Sequence, residues 1–243
     1  MQRYFTDKFE NKQAILKESD HHHIKNVMRF RVGDEVSVCD MSGHCYEGTF
    51  QSIDQEIVVS LRSELPNVEL PCTVSIAQAL IRRERFEYML QKATELGVHH
   101  LIPINTKYSI VDVDQKKASK KLERWQKIVQ EASEQSRRNI VPTVHQIEDL
   151  STLDVTKYDA VFIAYEQEQL SKSFKTVIEE QFFQNILLIV GPEGGFHPKE
   201  IERLLKQKNV YLIGLGKRIL RSETASSYFL SVLSFVYELG ELS

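Results

Sequence analysis

Near Pro66 to Pro71 the chain changes texture, and that change limits what it can fold into. Upstream, short β-prone runs alternate with turn signals: Glu35–Asp40, a turn at Met41-Ser42-Gly43, Tyr46–Phe50, then Glu56–Leu61. Strands this closely spaced predict a small β-barrel over residues 1–70. Downstream, apolar runs of strand length (Thr73–Leu80, His100–Ile104, Asp159–Tyr165, Asn185–Val190, Val210–Leu215) alternate with helical periodicity. Phe86, Met89, Leu90, Ala93 and Leu96 keep helical spacing with Gly97 as a stop, and Leu122, Trp125, Ile128, Val129 and Ala132 form a second stripe. A last helix is expected near Thr224–Leu239. Strand and helix in alternation predict an α/β domain over residues 73–243, on a mainly parallel sheet covered on both faces.

A chain of 243 residues, 42% hydrophobic and 27% charged, can bury one substantial core with a smaller domain attached. Its net charge of −3 argues against nucleic-acid binding by bulk electrostatics. One region departs from that balance. Lys107 to Arg138 holds nine basic against five acidic residues, net +4, which reads as a solvated helix face or as an RNA surface. Met1–Glu10 contains no apolar run, and no stretch reaches the length of a membrane span, so a cytoplasmic protein without membrane contact is expected. Cys39, Cys45 and Cys72 are odd in number and form no CxxC pair, which argues against a disulfide scaffold and a zinc ribbon. His21, His22 and His23 are consecutive and cannot share one face, so no metal site is expected. GxGxxG, P-loop and GxSxG motifs are missing. Trp125 and the phenylalanines are expected in the core rather than as base-stacking platforms.

In open parallel sheets, ligands bind at the carboxyl ends of strands. That rule selects three loops: Tyr165-Glu166-Gln167, Gly191–Phe196 and Gly216–Thr224. In the second, Gly191, Gly194 and Gly195 leave no Cβ between backbone and ligand while Pro192 stiffens the turn. Pro198 and Glu200 behind it fit a helix start capped by His197. A purely structural strand-to-helix turn is the competing reading. The third loop sets Arg218, Arg221 and Glu223 before an apolar helix, either as site residues or as an Arg221–Glu223 surface pair of little energetic value.

Five stretches then carry a resemblance: Arg29–Asp34, Gln91–Val98, Glu131–Arg138, Gly191–Phe196 and Leu215–Ala225. In order and spacing they resemble the RsmE family, from the first residues to the last helix. The resemblance implies a PUA-like β-barrel followed by a SPOUT-type parallel sheet with a deep C-terminal trefoil knot, acting as a homodimer. It further implies S-adenosylmethionine as cofactor and N3 of a uridine in 16S rRNA of the small ribosomal subunit, or a late assembly intermediate, as target. The three loops are then the knot loops. Tyr165, Glu166, Gly191, Pro192, Glu193, Gly194, Gly195, Leu215, Gly216, Ile219, Leu220 and Ala225 are assigned to the cofactor. Two positions depart from the family pattern: His197 stands where Ser or Thr is commoner, and Ser222 replaces a usual Thr.

Methyl transfer from a sulfonium is an in-line displacement, so alignment is the main task. Arg221 is expected to stabilise negative charge developing on the uracil carbonyls, with Glu193 or Glu223 accepting the N3 proton. Which carboxylate does so is open. Arg3, His23, Arg29, Arg31, Arg137 and Arg138 are the candidates for phosphate contacts. A methyltransferase acting on the ribose 2′-oxygen or another base, and a non-catalytic RNA-binding adaptor, are the alternatives.

Overall fold

The computed structural model describes residues 1–109, 115–165 and 172–239. The chain forms two compact units: Met1–Glu69 with Ser133–Val141, and Leu70–Ala132 with Pro142–Ser243.

The first unit contains β1 (Arg3–Phe5), β2 (Lys8–Glu10), β3 (Gln13–Ile15), α1 (Glu18–His22) with a π-helical turn over His23–Met28, β4 (Glu35–Cys39), β5 (Cys45–Ile53) and β6 (Ile57–Glu64). They form one sheet in the order β1-β4-β5-β6-β3-β2, antiparallel except for β1 beside β4. Alternation closes the core: Val36 and Val38 meet Tyr4, Phe50, Ile57, Val59 and Ile24. The β4–β5 turn is held by Asp40, whose Oδ1 accepts from the amides of Ser42 (2.8 Å) and His44 (2.9 Å). Gly48 sits where β5 approaches β6 closely; a Cβ there would lie 2.5 Å from the Ser60 carbonyl oxygen.

That tight turn corrects one expectation. Cys39 and Cys45 face each other across β4 and β5 and are joined by a disulfide, with Cα atoms 4.0 Å apart. A cysteine count cannot register a pair that a hairpin brings opposite.

The second unit contains β7 (Thr73–Ala79), α2 (Arg83–Glu95), β8 (His100–Asn105), α3 (Gln115–Ser136), β9 (Thr143–Val144), β10 (Glu148–Asp149), β11 (Ala160–Ala164), β12 (Lys172–Ser173), α4 (Phe174–Glu180), β13 (Asn185–Val190), α5 (Pro198–Leu204), β14 (Val210–Gly214) and α6 (Ser222–Ser234), which continues as a π-helical turn to Leu239. The sheet runs β10-β8-β7-β13-β11-β14-β12 with β9 also on β8, and every pairing is parallel. The five central strands are the five apolar runs, buried on both faces as parallel strands must be. Ile163, Ile189, Leu212, Ile201 and Leu204 fill one side. Phe162 leads an aromatic cluster on the other, where Phe174 and Phe229 stack at 4.4 Å. Trp125 is buried against Phe86, as expected of a core residue. Gly97 ends α2 at φ +93°, a conformation disfavoured for residues with a Cβ. Among the described residues no helix is long and apolar enough to cross a membrane.

A half-buried histidine pair sits on β8 and beside β9: His100 Nδ1 and His145 Nε2 are 3.2 Å apart. Burial first holds both imidazoles below their usual value; the charges of His145 and then Lys157 add to it at His100, and at His145 Lys157 adds to it while Glu148 opposes it. Their folded pKa values lie below the unfolded one, so the unfolded chain binds more protons as pH falls through about 6.5. This contribution to stability is present above that pH and lost on acidification. The urea midpoint is expected to drop between about pH 8 and about pH 5.5, and His145→Gln to flatten that drop; an unchanged slope in the variant counts against it.

Candidate functional site

β13, β11 and β14 are neighbours in the sheet, so the three loops leaving their carboxyl ends emerge side by side. Tyr165 follows β11, bonded through its amide to the Ile213 carbonyl (3.0 Å) and half-buried against the core. Glu166 and Gln167 lie outside the described residues.

After β13 the chain turns at once. Gly191 is crowded by Phe196, whose ring would stand 3.0 Å from a Cβ there, and Gly194 lies against Tyr108, 3.3 Å from its would-be Cβ. The Gly195 amide donates to the Pro192 carbonyl (2.9 Å) at φ +71°, with open space where a side chain would project. Close approach to backbone is thus built into this turn. The turn runs into α5 through a reciprocal cap: His197 Nδ1 accepts from the Lys199 amide (3.2 Å), and Glu200 Oε2 accepts from the His197 amide (2.8 Å).

After β14, Gly216 turns at φ +97°, Leu215 and Leu220 are half-buried, and Ile219 stands 83% exposed. An apolar side chain so open at the end of a sheet suits a flat ligand. Arg221 then precedes α6 as an extended residue whose carbonyl accepts from the amides of Thr224 (2.9 Å) and Ala225 (3.0 Å). Its exposed side chain makes no cap bond. Ala225 is buried on the first turn of α6, and Pro192 is buried likewise. The Ser222 hydroxyl donates to the Gly191 carbonyl at 2.6 Å, which ties the second loop to the third.

Of the two readings of the third loop, the surface pair of Arg221 with Glu223 does not form. Glu223 is 7% exposed and faces Arg85 of α2, whose Nε lies 3.8 Å away, while Arg85 Nη1 donates to Glu193 at 2.9 Å. One arginine therefore stands between the two candidate carboxylates. Glu223 Oε2 is buried without a hydrogen-bond partner among the described residues. Glycine turns and an exposed isoleucine, with the carboxylates of Glu193 and Glu223 close by, fit a ligand that combines a flat face with positive charge.

Residues 68–234 match the RNA methyltransferase domain family, and residues 16–60 the RNA methyltransferase PUA domain. The chain is 40% identical to ribosomal RNA small subunit methyltransferase E of Bacillus subtilis (strain 168), over 98% of each chain. It belongs to that methyltransferase family. It is also 32% identical to the protein of the same name from Mesomycoplasma hyopneumoniae (strain 232), over 95% of this chain and 98% of the other. The crystal structure of the Neisseria gonorrhoeae member bound to S-adenosyl methionine is similar at a TM-score of 0.83, with 26% identity and 98% of both chains covered. The fold is the family's α/β arrangement, a parallel sheet preceded by a PUA-like domain.

Within this family fold the basic residues separate. Arg3 (5% exposed) and Arg138 (4%) are interior: Arg3 donates to the carbonyls of Arg137 and Arg138, and Arg138 is paired with Glu69. Burial withdraws these two from the cations expected to meet phosphate. Arg29, Arg31 and Arg137 are exposed, Arg29 and Arg137 at positive φ, and His23 is half-buried with Nδ1 2.9 Å from the Tyr4 hydroxyl. Among the described residues no three His, Cys, Asp or Glu side chains gather as a metal site. Arg85 was not singled out by sequence. It lies in a run, Arg82-Arg83-Glu84-Arg85, that reads as ordinary solvated charge, and only the proximity of α2 to the loop after β13 gives it a role.

Proposed function

We propose that this chain methylates N3 of a uridine in 16S rRNA of the small ribosomal subunit, using S-adenosylmethionine bound by the three loops. The observation that carries the reading is the convergence of the two glycine turns with Arg221, Glu193 and Glu223 at the ends of the strands that flank β11, in a chain whose relatives are named ribosomal RNA small subunit methyltransferase E. Bound S-adenosylmethionine supplies an electrophilic methyl on a sulfonium. The chain's own residues must do the rest. Uridine N3 carries a proton of pKa about 9, so removing it near neutral pH costs roughly 3 kcal/mol. Arg221, exposed at the start of α6, offsets that cost by facing the charge on the uracil carbonyls. Glu193 or Glu223, which share Arg85 as a neighbour, accepts the proton.

Two further parts of the reading have structural support. β14 lies on the far side of β11 from β13, yet α6 packs on β13 and α2, so residues 215–221 cross back over the sheet end as a trefoil knot requires. The exposed Tyr228, Phe235 and Leu239 along α6 and its extension are an apolar face suited to a second copy. The protein works in the cytoplasm, where ribosomal subunits are assembled.

Incubation with radiolabelled S-adenosylmethionine and small subunits from cells lacking the modification is expected to label one uridine and to create a reverse-transcriptase stop there. Label on a ribose 2′-oxygen would overturn the N3 assignment. With Arg29, Arg31 and Arg137 as phosphate contacts, the slope of log affinity against log salt should flatten by about 0.7 per arginine replaced by alanine. An unaltered slope removes that arginine from the RNA surface.

A further inference from the structure

The carboxyl end of β7 carries a glutamine between apolar neighbours, Ile76 and Ala77 before it and Ala79 and Leu80 after it. Gln78 is 1% exposed and pairs in register with Val190, the residue before Gly191. Its amide nitrogen donates to Ser222 Oγ at 2.7 Å and to the Ala79 carbonyl at 3.2 Å, and its oxygen accepts from Ser226 Oγ at 2.9 Å. Ser222 in turn donates to the Gly191 carbonyl. The direction of this relay is forced. A carbonyl only accepts, so the Ser222 hydroxyl gives Gly191 its single proton and must itself accept from an N–H; that turns the Gln78 nitrogen to Ser222 and its oxygen to Ser226.

We infer that Gln78 is a positioning residue for the methyl-donor site, acting through Ser222 and Gly191. The inference rests on the enzyme reading above. Gly191 opens the turn after β13, and Ser222 begins the helix that follows the turn after β14. Each turn contains a glycine at positive φ, Gly195 and Gly216, where backbone freedom is greatest. Left independent, both turns would have to be ordered when a ligand is captured, and that ordering weakens binding. Gln78 fixes them to one strand end and to each other beforehand. Because the network is buried and each member is satisfied, losing one hydroxyl or the amide leaves the others without partners.

The test compares the full chain with Gln78→Leu, Ser222→Ala and Ser222→Thr by calorimetry with S-adenosylmethionine, by KM against kcat, and by thermal midpoint. Gln78→Leu and Ser222→Ala are expected to weaken donor binding about tenfold or more, as loss of one or two buried hydrogen bonds implies. KM for the donor should rise in parallel, with a much smaller change in kcat at saturation. Ser222→Thr keeps the hydroxyl and should restore affinity to within about threefold. Unchanged donor affinity in Gln78→Leu and Ser222→Ala, with or without a lower thermal midpoint, overturns the positioning role, as does failure of Ser222→Thr to restore binding. No uptake of the donor by the unaltered chain overturns the enzyme reading itself.

Discussion

Glu69→Ala is expected to destabilise the first unit by about 3–5 kcal/mol, the range for breaking a buried ion pair from one side. The side chains of Glu69 and Arg138 are buried, and three donor groups converge on the carboxylate: the Arg138 guanidinium, the Asn139 amide at 2.7 Å and the Ile140 amide at 3.2 Å. Alanine removes the acceptor for all three and leaves a buried guanidinium without its carboxylate. The same segment is held by Asn139, whose side-chain amide donates to the Gly43 carbonyl (3.0 Å) and accepts from the Val68 amide (3.1 Å), and by Arg3. Loss of Glu69 therefore loosens Ser133–Val141 from the sheet it belongs to. Urea denaturation should show the midpoint fall. Adding Arg138→Met should recover part of the loss, since an apolar side chain needs no counter-charge. A double variant no more stable than Glu69→Ala alone would assign the cost to the backbone amides instead of the charge.

That pair also marks a limit of sequence reading. Glu69 and Arg138 are far apart in the chain, and Arg138 sits in a basic stretch whose plainest interpretation is a solvated or RNA-facing surface. Charge counting cannot distinguish a guanidinium in water from one inside a fold, because only the partner's location decides. The disulfide between Cys39 and Cys45 is hidden for the same reason. By contrast, β13 and β14 are legible because a parallel strand buried on both faces leaves a continuous apolar run, and the start of α5 is legible because capping chemistry acts within four residues. The site divides along this line. Its glycine turns announce themselves locally, whereas Arg85 and Gln78 matter only because β7 and α2 are placed beside the loop after β13. Gln78 did leave a trace: an amide among the apolar residues Ile76, Ala77, Ala79 and Leu80 of a strand, which burial would make costly without partners.

Arg221→Ala is expected to lower kcat by about 10²–10³ while S-adenosylmethionine affinity stays within about twofold of the unaltered chain, the pattern for a group that acts on charge developing in the transition state. The fold gives little reason for any other effect. The side chain is exposed and makes no cap bond, and α6 takes its first hydrogen bonds from the Arg221 backbone carbonyl, which alanine retains. Loss of the guanidinium removes only the positive charge proposed to face the uracil anion. A second consequence separates this role from RNA binding. If Arg221 lowers the cost of removing the N3 proton, the rate of the variant should climb with pH towards about 9 more steeply than that of the unaltered chain, because hydroxide then supplies the anion. Arg221→Lys, which keeps the charge but not the planar fork, should lie between the two. A raised KM for RNA with kcat unchanged would place Arg221 among the phosphate contacts, and the stabilisation of the uracil anion would then fall to other groups.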